Sequence, residues 1–106
     1  MLIYKEALLN ETGIMPLYLP FDSVEEAKEN ILKIGLQFGE PHIWFRVLDK
    51  PKKEFLLACI GTGHNHPELL MEEYIGSEIV YDGVYVWHYF LVEREELKER
   101  FSCLDN

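Results

Sequence analysis

Tyr74-Ile75-Gly76-Ser77-Glu78-Ile79-Val80-Tyr81-Asp82-Gly83-Val84-Tyr85-Val86-Trp87-His88-Tyr89-Phe90-Leu91-Val92 consists of two runs of β-branched and aromatic residues on either side of Asp82-Gly83. Such side chains suit a pleated surface, and Asp-Gly readily takes the positive φ angles of a two-residue hairpin turn. The stretch therefore predicts a hairpin with strands over 74–81 and 84–92. In the second run Val84, Val86, Phe90 and Val92 fall on one face and Tyr85, Trp87, Tyr89 and Leu91 on the other. Two apolar faces predict a central strand covered on both sides, with His88 buried among core residues.

Working outward, the same signals recur at short intervals. Leu2 to Leu9 reads as a first strand, Asn10-Glu11-Thr12-Gly13 as a turn, and Ile14 to Leu19 as a second strand closed by Pro20. Ser23 followed by Glu25 and Glu26 fits a capped helix start, so a short helix is expected from Ser23 to about Glu29. Ile31 to Phe38 suits either a helix or a strand, although Gly35 and Gly39 weaken the helix. Gly39-Glu40-Pro41 is read as the turn into a strand over His42 to Leu48, and Asp49 to Lys53 as a charged turn before a strand over Glu54 to Ile60. Gly61 to Pro67 is a loop, Glu68 to Glu73 suits one helical turn, and Glu93 to Arg100 is helical by composition, with Leu97 and Phe101 spaced to dock on a sheet. The expected fold is mainly β, of α+β type, with a small antiparallel sheet, sandwich or half-barrel of about six or seven strands. Residues 1–92 would form one β-rich domain, and residues 93–106 a C-terminal helix and tail packed on it or flanking it.

The composition bounds the function. Among 106 residues, 48% are hydrophobic, enough for a real core, and 19 acidic side chains face 10 basic ones for a net charge of −9. That excess argues against electrostatic binding to nucleic acid or to an anionic membrane surface. The charge is also lopsided, since no Lys or Arg occurs between Lys53 and Arg94. The first residues lack the features of a signal peptide, and no apolar run approaches the ~20 residues of a spanning helix. Cys59 lies in an apolar run and Cys103 in a polar tail, which suits two free thiols.

The residues that could carry chemistry cluster around Gly61-Thr62-Gly63-His64-Asn65-His66-Pro67-Glu68. Thr62, His64, His66 and Glu68, with Glu72 and Glu73 behind them, are the expected contacts for a ligand or partner. His64, His66 and His88 could together hold a metal ion with an open position for hydrolysis, but their spacing matches no established metal motif. Gly61 and Gly63 permit a phosphate loop, but the acids that follow would repel phosphate, so a backbone bend with positive φ at one or both is expected. Trp44 and Trp87 are expected to fill the core, with each indole N–H tied to backbone. No nucleophile elbow or paired catalytic carboxylates can be picked out, and no cofactor is expected.

Taken in order, Ile31-Leu32-Lys33-Ile34-Gly35-Leu36-Gln37-Phe38-Gly39, Pro41-His42-Ile43-Trp44, Gly61-Thr62-Gly63-His64, Tyr74-Ile75-Gly76 and Val86-Trp87-His88-Tyr89-Phe90 form a recognisable series. The series resembles an uncharacterised family of small proteins from tailed bacteriophages and prophages. The resemblance spans residues 2 to 92, with Phe21 to Glu29 and the segment after Val92 departing from it. It implies a phage or prophage origin, a compact β-rich domain in the cytoplasm of a bacterial host, no assigned activity, and a β reading of Ile31 to Phe38. Gln37, Trp44, Gly61, Gly63, Trp87 and His88 match the family pattern and are expected to be architectural, while Thr62 and His64 are the better functional candidates.

The leading expectation is a non-enzymatic accessory protein that binds a host macromolecule with a basic surface through an acidic face, to modulate or inhibit it in host takeover or counter-defence. A homodimer is compatible with this. The alternatives are a protein that sequesters a nucleotide-like small molecule at Gly61 to His66, and a metal-dependent hydrolase using the histidines.

Overall fold

The structure is a computed structural model that describes residues 1–63, 65, 69–96 and 99. Among the described residues, seven strands and the helix α1 follow in the order β1 (Ile3–Ala7), β2 (Gly13–Leu19), α1 (Val24–Asn30), β3 (Ile31–Gln37), β4 (Glu40–Arg46), β5 (Lys53–Gly61), β6 (Tyr74–Val80) and β7 (Tyr85–Glu93). A single 3-10 turn, Met71–Glu73, precedes β6. The strands form two antiparallel sheets, ordered β1-β4-β3 and β2-β5-β7-β6. The expected mainly β fold is thus present, as a sandwich.

One core lies between the sheets. Ile43 and Phe45 of β4 face Leu17 and Leu19 of β2, Phe55 and Leu57 of β5, and Tyr89 and Leu91 of β7, and all of them are buried. Removing a side chain of this size from water stabilises the fold by about 1.5–3 kcal/mol, so this set supplies most of the driving force. Phe21, just past β2, meets Phe45 edge to face at 5.9 Å and closes one end. Along one side the sheets touch where Ile34 of β3 lies over Gly76 of β6, so closely that an added Cβ would come within 2.9 Å of Ile34 Cδ1.

The helix starts where Ser23 predicts it. Ser23 Oγ accepts from the Glu26 N–H (3.1 Å), while Glu26 Oε1 accepts from the Asp22 N–H (3.0 Å), one residue short of a reciprocal capping box. Lys50 reaches across from the loop after β4 to Asp22 (2.7 Å) and Glu26 (2.6 Å). The Lys50 hydrogen bond, aided by the Asp22 N–H, holds the Glu26 carboxyl below its ordinary pKa.

Three local expectations are corrected. The β3–β4 turn is Phe38-Gly39, at φ +53° and +78°, and Glu40-Pro41 belongs to β4. Pairing of Gln37 with Glu40 leaves only two residues to turn the chain, and both must be left-handed. The last hairpin is wider than Asp82-Gly83 predicts: Val80 pairs with Tyr85, and Tyr81, Asp82 and Gly83 all take positive φ. Finally, β7 is central in its sheet, but its outer face is covered only at its C-terminal end, where Val92 is buried. Trp87, Tyr89 and Leu91 are buried, whereas Val86, His88 and Phe90 stay half-exposed on the outer side. An apolar sequence on both faces is therefore no proof of two covering layers.

Beyond β7 the chain is helical at Arg94–Glu96, and Arg94 pairs with Glu54. Leu97 and Phe101, expected to dock this segment, lie outside the described residues. Among the described residues no helix is long and apolar enough to cross a membrane.

Candidate functional site

The expected loop site is only partly described. Thr62 follows β5 and hydrogen-bonds through Oγ1 to His88 Nε2 (2.7 Å), because Ile60 and His88 are register partners and Thr62 continues that edge. His88 is therefore half-exposed on an outer face rather than buried. His64, His66 and Glu68 lie outside the described residues, as does any meeting of these histidines with His88. Of the two loop glycines only Gly63 has positive φ (+83°); Gly61 ends β5 in extended backbone.

The tryptophans take different places. Trp87 is buried, stacks on Tyr85 (ring centroids 5.5 Å, planes 2° apart), and donates its indole N–H to Asn10 Oδ1 (2.9 Å), a side chain rather than backbone. Trp44 is not in the core. Strand alternation buries Ile43 and Phe45 and sends Trp44 to the outer face of β4, where it is half-exposed beside His42. Gln37 shares that face and accepts a hydrogen bond from Lys5.

A cleft of about 690 Å³ lies elsewhere, among α1, the 3-10 turn and the end of β7. Glu25 and Glu29 reach it from one face of α1, where residues four apart are neighbours. Glu72 and Glu73 reach it from the 3-10 turn, and Glu93 and Glu96 from the end of β7 and the residues after it. Among the described lining residues Lys28 is the only cation, and its ammonium is held by the Glu72 carbonyl (2.9 Å). Val24 and Leu70 supply apolar surface between the acids.

The glutamates differ in what they can offer. Glu73 is buried, and its carboxylate accepts from the Leu70 N–H (2.8 Å), so it closes the 3-10 turn. Glu93 faces Lys53 at 3.3 Å. Glu25, Glu29 and Glu72 are exposed, and their charges face solvent across the cleft. Glu72 and Glu73 were legible as candidates from the acidic second half of the chain. Glu25 and Glu29 were not, although their four-residue spacing on a capped helix was a usable signal. The acids of the two halves meet because α1 packs at the end of the sandwich where β7 finishes.

Residues 22–100 match a family model described as a domain of unknown function (DUF7352). The matched span includes α1 and continues past β7, and it leaves out β1 and β2. No curated protein and no solved structure matches the chain.

Proposed function

We propose that this chain, which belongs to the DUF7352 family of domains of unknown function, is a non-enzymatic binding module that takes a basic segment of a macromolecular partner into the cleft beside α1. The observation that carries the reading is the cleft lining, in which the described residues bring six glutamates against one lysine around a volume of about 690 Å³. Like charges focused in a concavity raise the local concentration of an oppositely charged partner and speed its association. Val24 and Leu70 give such a partner an apolar anchor, so the best fit is a Lys- or Arg-bearing segment with one or two apolar side chains.

The resemblance to phage and prophage proteins supports a bacterial host protein as that partner. On this reading the protein is a phage or prophage accessory factor in the host cytoplasm that modulates or inhibits a host macromolecule.

The test is capture of a partner from host lysate by cross-linking, followed by affinity measurement with the purified pair. Glu25→Gln, Glu29→Gln and Glu72→Gln combined are expected to weaken binding at least tenfold, mainly through the association rate, and added salt should weaken the wild-type complex but hardly the variant. An affinity indifferent to both salt and the three substitutions would overturn the proposal.

A further inference from the structure

We propose that the outer face of the β1-β4-β3 sheet binds single-stranded nucleic acid, with bases stacking on Trp44 and Phe38 and phosphates meeting Lys5 and Lys33. The site is separate from the acidic cleft and does not depend on it. Register places Trp44 in one cross-strand row between Lys5 and Lys33, and His42 in the next row opposite Gly35. The Lys33 ammonium lies 6.0 Å from the Trp44 ring centroid, and the His42 ring centroid lies 5.9 Å from it, the two rings tilted by 45°. Gly35 makes room for this arrangement, since a Cβ there would come within 2.8 Å of Lys33 Cε. His42 is fixed by its Nδ1–H, which donates to the Glu40 carbonyl (2.9 Å), so Nε2 is the nitrogen left for a ligand.

Phe38 is the second, independent observation. It is 94% exposed at the tip of the β3–β4 turn and sits at φ +53°. An aromatic ring in water gains nothing from burial, and a left-handed backbone there favours Asn or Gly. The fold thus holds an aromatic ring into solvent against two local preferences, at the end of the strand pair that carries Trp44 and His42.

Charge selects the ligand class. Lys5, Lys33 and Arg46 share the face with one acid, Glu40, which accepts from Asn10 (3.3 Å). The net charge of −9 does not decide the matter, because screening limits an exposed charge to about 10 Å at 0.1 M salt. Cations call for a polyanion, and flat rings flanked by them call for one that exposes planar bases, which a duplex does not.

The test uses fluorescein-labelled oligo-dT and oligo-U of about ten nucleotides, within the usual site size of such faces, read by anisotropy and by tryptophan quenching. Wild type is expected to bind and to lose roughly 7-fold in affinity between about 50 and 200 mM salt, as two phosphate contacts require. Trp44→Ala should cost about 5- to 100-fold, Trp44→Phe much less, and Lys5→Glu with Lys33→Glu should abolish binding. Should Trp44→Ala fail to fold, Phe38→Asn is a surface change that should also weaken binding. Absence of binding at about 50 mM salt, binding indifferent to Trp44→Phe, Phe38→Asn and the lysine reversals, or equal affinity for polyglutamate would overturn the proposal.

Discussion

Asn10 ties together parts of the chain that no backbone ladder joins. Its carbonyl oxygen accepts from the buried Trp87 indole, and its amide donates to Tyr81 Oη (3.1 Å) and to Glu40. Asn10→Ala leaves the Trp87 N–H without an acceptor inside the fold, which should cost about 1–3 kcal/mol. Urea unfolding followed by tryptophan fluorescence measures this, and an unchanged midpoint would show that water replaces the side chain. Cys59 makes the opposite kind of prediction. It is fully buried, and burial pushes its thiol pKa up to about 11 even though Tyr89 bonds to it. The thiolate is the reactive form. With Cys103 replaced by Ser, Cys59 should react with a disulfide reagent only as fast as the protein unfolds, and rapid labelling of the native state would contradict its burial.

Two elements carry predictions of their own. The lowered Glu26 pKa means that its bonds to Lys50 and to the Asp22 N–H favour the charged form in the folded chain. A depressed carboxyl pKa contributes stability at neutral pH, and that contribution fades as pH falls from the ordinary value of 4.5 through the lower folded one. Thermal melts between pH 7 and pH 3 should therefore show a steeper loss of stability in wild type than in Lys50→Met, and parallel curves would refute the link. The Phe38-Gly39 turn predicts the opposite sign of effect. Phe38→Asn relieves a left-handed phenylalanine and should raise stability by about 0.5–1 kcal/mol. The same change should lower nucleic-acid affinity, so stability and binding would move in opposite directions at one residue.

For the whole molecule the decisive contact is the approach of the two sheets at Gly76. Gly76 has φ +150°, and a Cβ there would clash with Ile34 Cδ1 at 2.9 Å. Gly76→Ala should destabilise by about 1–3 kcal/mol through overpacking. Adding Ile34→Val, which removes that methyl, should recover part of the loss, and a purely additive double mutant would place the cost in the backbone alone. This juncture also marks what could be read in advance. Strand periodicity, the Ser23 cap and the apolar excess announced nearly every element, because they are local properties of consecutive residues. The Phe38-Gly39 turn was missed because Pro41 drew the reading, although Pro is tolerated inside β4. Trp44 lies outside the core because it shares a face with His42 and Arg46 rather than with Ile43 and Phe45, a polar face that its own large apolar ring masks. Sequence alone thus determined a mainly β chain with a capped short helix and an uneven charge, since alternation, capping and charge are fixed by residue order. Tertiary structure decided which apolar faces are covered, which glutamates share a cleft, and which aromatic rings meet water. Those outcomes follow from the pairing of distant strands, whose register moves a side chain from core to solvent with a shift of a single residue.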